Sequence, residues 1–207
     1  MSRATMALWL TLASCGVPSG GVNTQVVAET PLQSDASAGR TWRRMNLDQL
    51  RASIERVSGG ISWTEEQDGV AVQLFQSLDG TLGKPDYLSA TEEELSPGLL
   101  FQKFLDDAAT SVCAQLVVAE PGRAAWERTL LVDVTLADTV DSNPAAIEAN
   151  LRGALLRFHG REVPAGDPSL QPWKELLVAV YANHGDMAPA WQAVCTTLIV
   201  HPDFYRY

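Results

Sequence analysis

Between Pro97 and Val118 apolar side chains recur every three or four residues, at Leu100, Phe101, Phe104, Leu105, Ala108, Ala109, Val112, Cys113 and Leu116. A stripe this wide belongs to one face of an α-helix and has no reading as a strand, whose side-chain period is two. Such a face must be buried, and the rest of the chain supplies helical partners for it. Asn46 stands as a cap before Leu47, Leu50, Ile54 and Val57, with Gln49 placed to reach back and Gly59-Gly60 as the stop. Thr64 and Gln67 form a second capping pair ahead of Val70, Leu74, Phe75 and Leu78, and Asp79-Gly80 closes that segment. Residues 81–87, broken by Gly83 and Pro85, read as a turn or loop, and Thr91-Glu92-Glu93-Glu94 offers a capping box before the long helix.

Beyond it, Glu120-Pro121-Gly122 breaks the chain. Trp126, Leu130 and Leu131 suggest a short helix, and residues 131–136 alternate as one strand or an extended connection would. Asn143-Pro144 opens a helix through Ile147, Leu151, Ala154, Leu155 and Phe158 to Gly160. Pro172 opens another through Leu176, Leu177, Val180 and Tyr181 to about Gly185. A last helix over residues 188–200 turns Trp191, Val194, Cys195, Leu198 and Ile199 inward, and Pro202 stops it. No repeat of fixed period is present. The expected fold class is all-α, a single irregular bundle of about six amphipathic helices over residues 40–207.

The first residues carry a different message. Met1-Ser2-Arg3 is followed by an uncharged apolar run ending in Leu12-Ala13-Ser14-Cys15. This layout is that of a secretory signal peptide, and its end resembles the lipobox of bacterial lipoproteins. The resemblance implies removal of residues 1–14 and lipidation of Cys15, with the membrane as a partner through that anchor. Gly16 stands where an Asp would favour the inner membrane, so the expected destination is the outer membrane. Residues 15–39, rich in Gly, Ser, Thr, Ala and Pro without apolar periodicity, read as a flexible tether.

Charge bears on partners and cysteine content on compartment, the latter in agreement with export. The chain carries a formal charge of −10 from 15 basic and 25 acidic residues, and loss of Arg3 with the signal makes it −11. That balance repels nucleic acid and anionic head groups. With Cys15 taken by lipid, Cys113 and Cys195 remain, 82 residues apart. They are either bridged, as an oxidising compartment permits, or two separate buried thiols.

Three stretches taken together resemble helical modules of large secreted bacterial proteins that often also carry a cytochrome c domain. They are Arg43-Arg44 before a capped helix, Leu155-Leu156-Arg157-Phe158-His159-Gly160-Arg161, and Ile199-Val200-His201-Pro202-Asp203-Phe204-Tyr205-Arg206-Tyr207. The resemblance implies a helical fold in an exported protein and assigns no catalytic residue. The chain departs from those proteins in lacking Cys-x-x-Cys-His, the attachment motif for haem c.

Candidate chemistry is sparse. His159, His184 and His201 are too few and too widely spaced for a metal pattern, so no metal is expected. Each lies near a helix end, where an imidazole meets the last carbonyls. Asp106 and Asp107 point about 100° apart on their helix and share no site. Glu92, Glu93 and Glu94 fit a helix first turn. Nucleophile-elbow, lactamase and phosphate-loop motifs are absent from the sequence. Phe204, Tyr205 and Arg206 are either an exposed docking peptide or, as the first expectation, a tail packed on the core. Trp42, Trp63, Trp126, Trp173 and Trp191 are expected as core and helix-junction fillers whose indole N–H groups find carbonyls.

The functional expectation is a membrane-anchored accessory module that binds another exported protein, with His184, His201, Phe204, Tyr205 and Arg206 as candidate contacts. Two alternatives stand beside it. One is a haem or redox-associated subunit, non-covalent, with ligands among His159, His184, His201 and Met187; the sequence itself predicts no cofactor. The other is a hydrolase built around His184 or His201.

Overall fold

A computed structural model describes residues 43–207 except 83, 85–87, 89–91 and 94. The signal and tether segments, Cys15, Trp42, and the Thr91 and Glu94 ends of the third capping box lie outside the described residues. The fold is all-α, as the apolar periodicity requires. Its elements are α1 (Leu47–Val57), a hairpin of β1 (Thr64–Gln67) and β2 (Val70–Gln73), α2 (Leu74–Leu78), α3 (Leu99–Ala119), α4 (Pro144–His159), α5 (Gln171–His184), α6 (Met187–Val200) and α7 (Pro202–Tyr205). No helix among the described residues is long and apolar enough to cross a membrane.

α6 is the centre of the bundle. Met187, Ala190, Trp191, Val194, Cys195, Leu198 and Ile199 are all buried on one face, and its remaining residues are half-buried, none of them exposed. A helix with no exposed residue needs other elements on every side, and α6 packs chiefly against α3 and α5, with α4 and α7 completing the cover. α3 turns Phe101, Phe104, Leu105, Ala108, Ala109, Val112, Cys113, Leu116 and Val117 inward. Cys113 and Cys195 are bonded at the α3–α6 contact, with Cα atoms 5.7 Å apart, and both are fully buried. The bridged alternative is therefore the one the fold contains.

α1 follows its sequence signals closely: the Asn46 side chain accepts from Gln49 N–H at 2.8 Å while the Gln49 side chain accepts from Asn46 N–H at 3.1 Å. The segment after it does not. The capping pair at Thr64 and Gln67 predicts a helix from there to Leu78, but residues 64–73 form the antiparallel hairpin and only residues 74–78 are helical. The cause is Asp68-Gly69, both at positive φ (52° and 78°), a two-residue turn whose twist suits a hairpin. Trp63, Phe75 and Phe104 then meet edge to face at centroid distances of 5.0–5.4 Å and fasten this excursion to α3.

Other expectations also change. The short helix near Trp126–Leu131 is a single 3-10 turn over Ala125–Glu127, and residues 131–136 form bends and a turn with no strand partner. Leu100, placed inward by the stripe, is 59 % exposed, at the edge of the face on which the neighbouring Phe101 is buried. Only Leu177 of the expected α5 face is fully buried. Trp126 is 85 % exposed and is no core filler, and the buried Trp191 indole N–H has no hydrogen-bond partner. Pro202 stops α6 as expected and also occupies the first turn of α7, capped by His201.

The first and last described residues pair: Met45 N–H donates to the Tyr205 carbonyl at 2.7 Å and Tyr207 N–H to the Arg43 carbonyl at 3.1 Å. Arg44 is buried beneath this pairing, donating to Glu93 Oε1 at 2.8 Å with its guanidinium 4.7 Å from the Phe101 ring centroid. Replacing both Cys113 and Cys195 with Ala is expected to lower stability by about 2–5 kcal/mol, since the bond closes a long loop in the unfolded chain. Urea unfolding of that double variant beside the oxidised chain measures it, and coincident midpoints would contradict the bridge.

Candidate functional site

Two buried polar side chains shape the surface between α3 and α4. Glu120 follows directly on α3 and is fully buried. Its Oε1 accepts from Thr129 N–H at 2.8 Å and Thr129 Oγ1 at 3.1 Å, and its Oε2 from Leu130 N–H at 3.2 Å and Leu131 N–H at 2.9 Å. Four donors converging on one carboxylate satisfy it without solvent. Arg123 sits 3.4 Å from Oε1 and reaches on to the Ser58 and Gly59 carbonyls at 3.2 and 3.3 Å, tying the end of α1 to the same point. Glycine suits position 59, where φ is +65° and a Cβ would press on the Arg123 guanidinium.

Asn150 does the equivalent work from α4. Its Oδ1 accepts from Val132 and Asp133 N–H at 2.9 and 3.0 Å, and its Nδ2 donates to the Leu130 carbonyl at 2.8 Å. Residues 129–133 are thus held between the Glu120 carboxylate at the end of α3 and an amide from α4. The result is an open groove of about 390 Å³ with Gly153 and Ala154 at its base, Val132 and Leu156 as apolar walls, and Asp133 and Arg157 as charged lining. Val132 and Leu156 are both exposed. Gly153 lies in the middle of α4, and a Cβ built on it meets no atom within 4 Å.

A second constellation sits where α4 and α6 end. The His159 and His201 rings stack with centroids 4.9 Å apart. A carbonyl only accepts, so the 2.9 Å contact between His159 Nε2 and the Leu198 oxygen makes Nε2 the protonated nitrogen. His201 Nδ1 accepts from Asp203 N–H at 3.2 Å and lies 3.6 Å from Asp203 Oδ2. Burial holds the His159 imidazole below its ordinary pKa range, against a smaller upward contribution from the Leu198 contact. Neither ring contacts the end of its own helix in the expected way. His159 bonds the carbonyl of another helix, and His201 caps the start of the next.

The remaining expected site residues divide clearly. Phe204 and Tyr205 are buried, Tyr205 Oη accepting from Gln102 Nε2 at 2.8 Å and its ring lying 5.3 Å from Phe101. Arg206 lies with its guanidinium 5.5 Å from the Tyr205 ring centroid. The tail is packed on the core, so Phe204 and Tyr205 are not free contacts. His184 is exposed at the end of α5, outside the histidine pair. Met187 is buried at the start of α6, about 20 Å along the helix axis from His201 at its end, so Met187 and His201 cannot ligate one haem iron.

The sequence reading missed Glu120, Asn150, Gly153 and the meeting of His159 with His201. Asn150 left a trace, as a polar residue in the inward register of Ile147, Leu151 and Ala154. No family model, curated protein or solved structure matches the chain.

Glu120→Ala leaves three backbone N–H groups and a hydroxyl buried without an acceptor, and a loss of about 3–5 kcal/mol is expected. The loosened segment should also become a trypsin substrate at Arg128. Urea unfolding with limited proteolysis tests both, and wild-type stability with an uncut Arg128 would show that Glu120 does not hold the loop.

Proposed function

We propose that this chain is an exported lipoprotein, held by lipid on Cys15 at the outer membrane, whose helical domain is an accessory module binding a segment of another exported protein in the groove over Gly153. The observation that carries the binding assignment is Gly153 itself. A glycine in a helix interior costs about 1 kcal/mol relative to alanine, and nothing in the domain approaches closely enough to need the missing Cβ. What it leaves open is the groove base. The exposed apolar walls at Val132 and Leu156, with Asp133 and Arg157 beside them, suit an apolar segment carrying one basic and one acidic side chain.

Export is supported from two directions. Cys113 and Cys195 are bonded in the bundle centre, and stable disulfides belong to oxidising compartments. The leader ends in the lipobox-like Leu12-Ala13-Ser14-Cys15. The acidic balance of the chain favours a neutral or basic partner.

Cross-linking in the native membrane followed by mass spectrometry tests this reading when wild type is compared with Gly153→Trp and Gly153→Ala. Wild type should yield one dominant exported partner linked near α4 or residues 129–133. Gly153→Trp, which fills the groove, should lose that partner by about tenfold or more, while Gly153→Ala should raise stability by about 1 kcal/mol. Equal recovery in wild type and Gly153→Trp, or recovery of the lipoprotein alone, would contradict it.

A further inference from the structure

His159 ends α4, His201 follows α6, and Asp203 lies in the single turn of α7. The bundle brings all three to one corner, where one ring nitrogen from each histidine and one Asp203 carboxylate oxygen lie within 4.8 Å of one another. We propose that His159, His201 and Asp203 form a binding site for a divalent cation of the zinc class, with its remaining coordination open to solvent.

The ligand set is the first argument. Two imidazoles and one carboxylate are the donors that zinc accepts in three-ligand sites, and imidazole selects Zn²⁺ and its neighbours over Mg²⁺ or Ca²⁺. The spacing is the second. Ligand atoms around tetrahedral zinc stand about 3.3 Å apart, and His201 Nδ1 and Asp203 Oδ2 are already at 3.6 Å. His201 and Asp203 both reach solvent, where their side chains have room to adjust towards an ion.

Orientation is the third argument. Metal-bound histidines characteristically donate their other ring N–H to a carbonyl or carboxylate, which fixes the tautomer and aims the free lone pair. His159 already does this through Nε2 to the Leu198 carbonyl, leaving Nδ1 as its ligating nitrogen. His201 would exchange one long cap bond, 3.2 Å from Asp203 N–H to Nδ1, for the ion. The negative balance of the chain favours a cation, and Arg161, which acts on the His159 ring, is the local opposing charge. Cys113 and Cys195 are consumed by their mutual bond, so neither supplies a competing thiolate.

The test uses the full chain carrying Cys15→Ser, which removes the remaining thiol, stripped with a chelator and titrated calorimetrically with Zn²⁺. One-to-one saturation with a micromolar or tighter dissociation constant is expected, and Co²⁺ in its place should give visible d–d absorption. Added His201→Ala and Asp203→Asn, both on solvent-facing side chains, should each weaken binding by about tenfold or more, whereas His184→Ala should leave it unchanged. Circular dichroism of each metal-free variant checks that the helices persist. Absence of saturable binding would overturn the site. So would wild-type affinity in either His201→Ala or Asp203→Asn, or an equal loss in His184→Ala.

Discussion

Everything in this domain hangs on the contact between α3 and α6. α6 has a fully buried face and no exposed residue, so it is stable only when enclosed, while α3 presents a long apolar face to it. The Cys113–Cys195 bond lies inside that contact. The two helices run in opposite directions, since Phe101 and Gln102 at the start of α3 meet Tyr205 just beyond the end of α6. One end of the pair therefore carries Glu120 and the loop it holds. The other carries His159, His201 and α7. The polar features sit at the rims because the middle of the pair has room only for apolar side chains.

The same enclosure explains why the Glu120 carboxylate and the Asn150 amide are so fully partnered. Glu120 and Asn150 are placed where α3 and α4 leave a gap that residues 129–133 cross without regular structure. Backbone N–H groups in such a segment have no ladder to join, and leaving them dry would cost more than the fold can tolerate. A carboxylate from one helix and an amide from the next supply the acceptors. The groove on α4 is a by-product of that solution, since it opens between residues 129–133 and the part of the helix where Gly153 carries no side chain.

Most helices were legible in the sequence because their information is local. The Asn46 box, the Asn143-Pro144 opening and the Gly160 and Gly185 stops each bound an apolar stripe of the right period. The hairpin was missed for a local reason too: Thr64 and Gln67 match a capping box by spacing, yet Asp68-Gly69 immediately before Val70 is the stronger signal. The candidate site was illegible for a different reason. His159 and His201 are brought together only by the packing of α4 beside α6, and Glu120 resembled a chain break before Pro121-Gly122. No periodicity encodes a side chain that works across the bundle. Exposure at Leu100 and Trp126 followed the same pattern, since a stripe tells which face is apolar and not how far a partner extends along it.

Export and a lipid anchor on Cys15, as we propose them, agree with the bond between Cys113 and Cys195. Intact-mass spectrometry of the protein extracted from its native membrane addresses both in one spectrum, with and without reductant. The predicted species begins at Cys15, carries the mass of its acyl groups, and gains two hydrogens on reduction as Cys113 and Cys195 part. A chain that retains Met1, carries no lipid and does not change mass on reduction would contradict it.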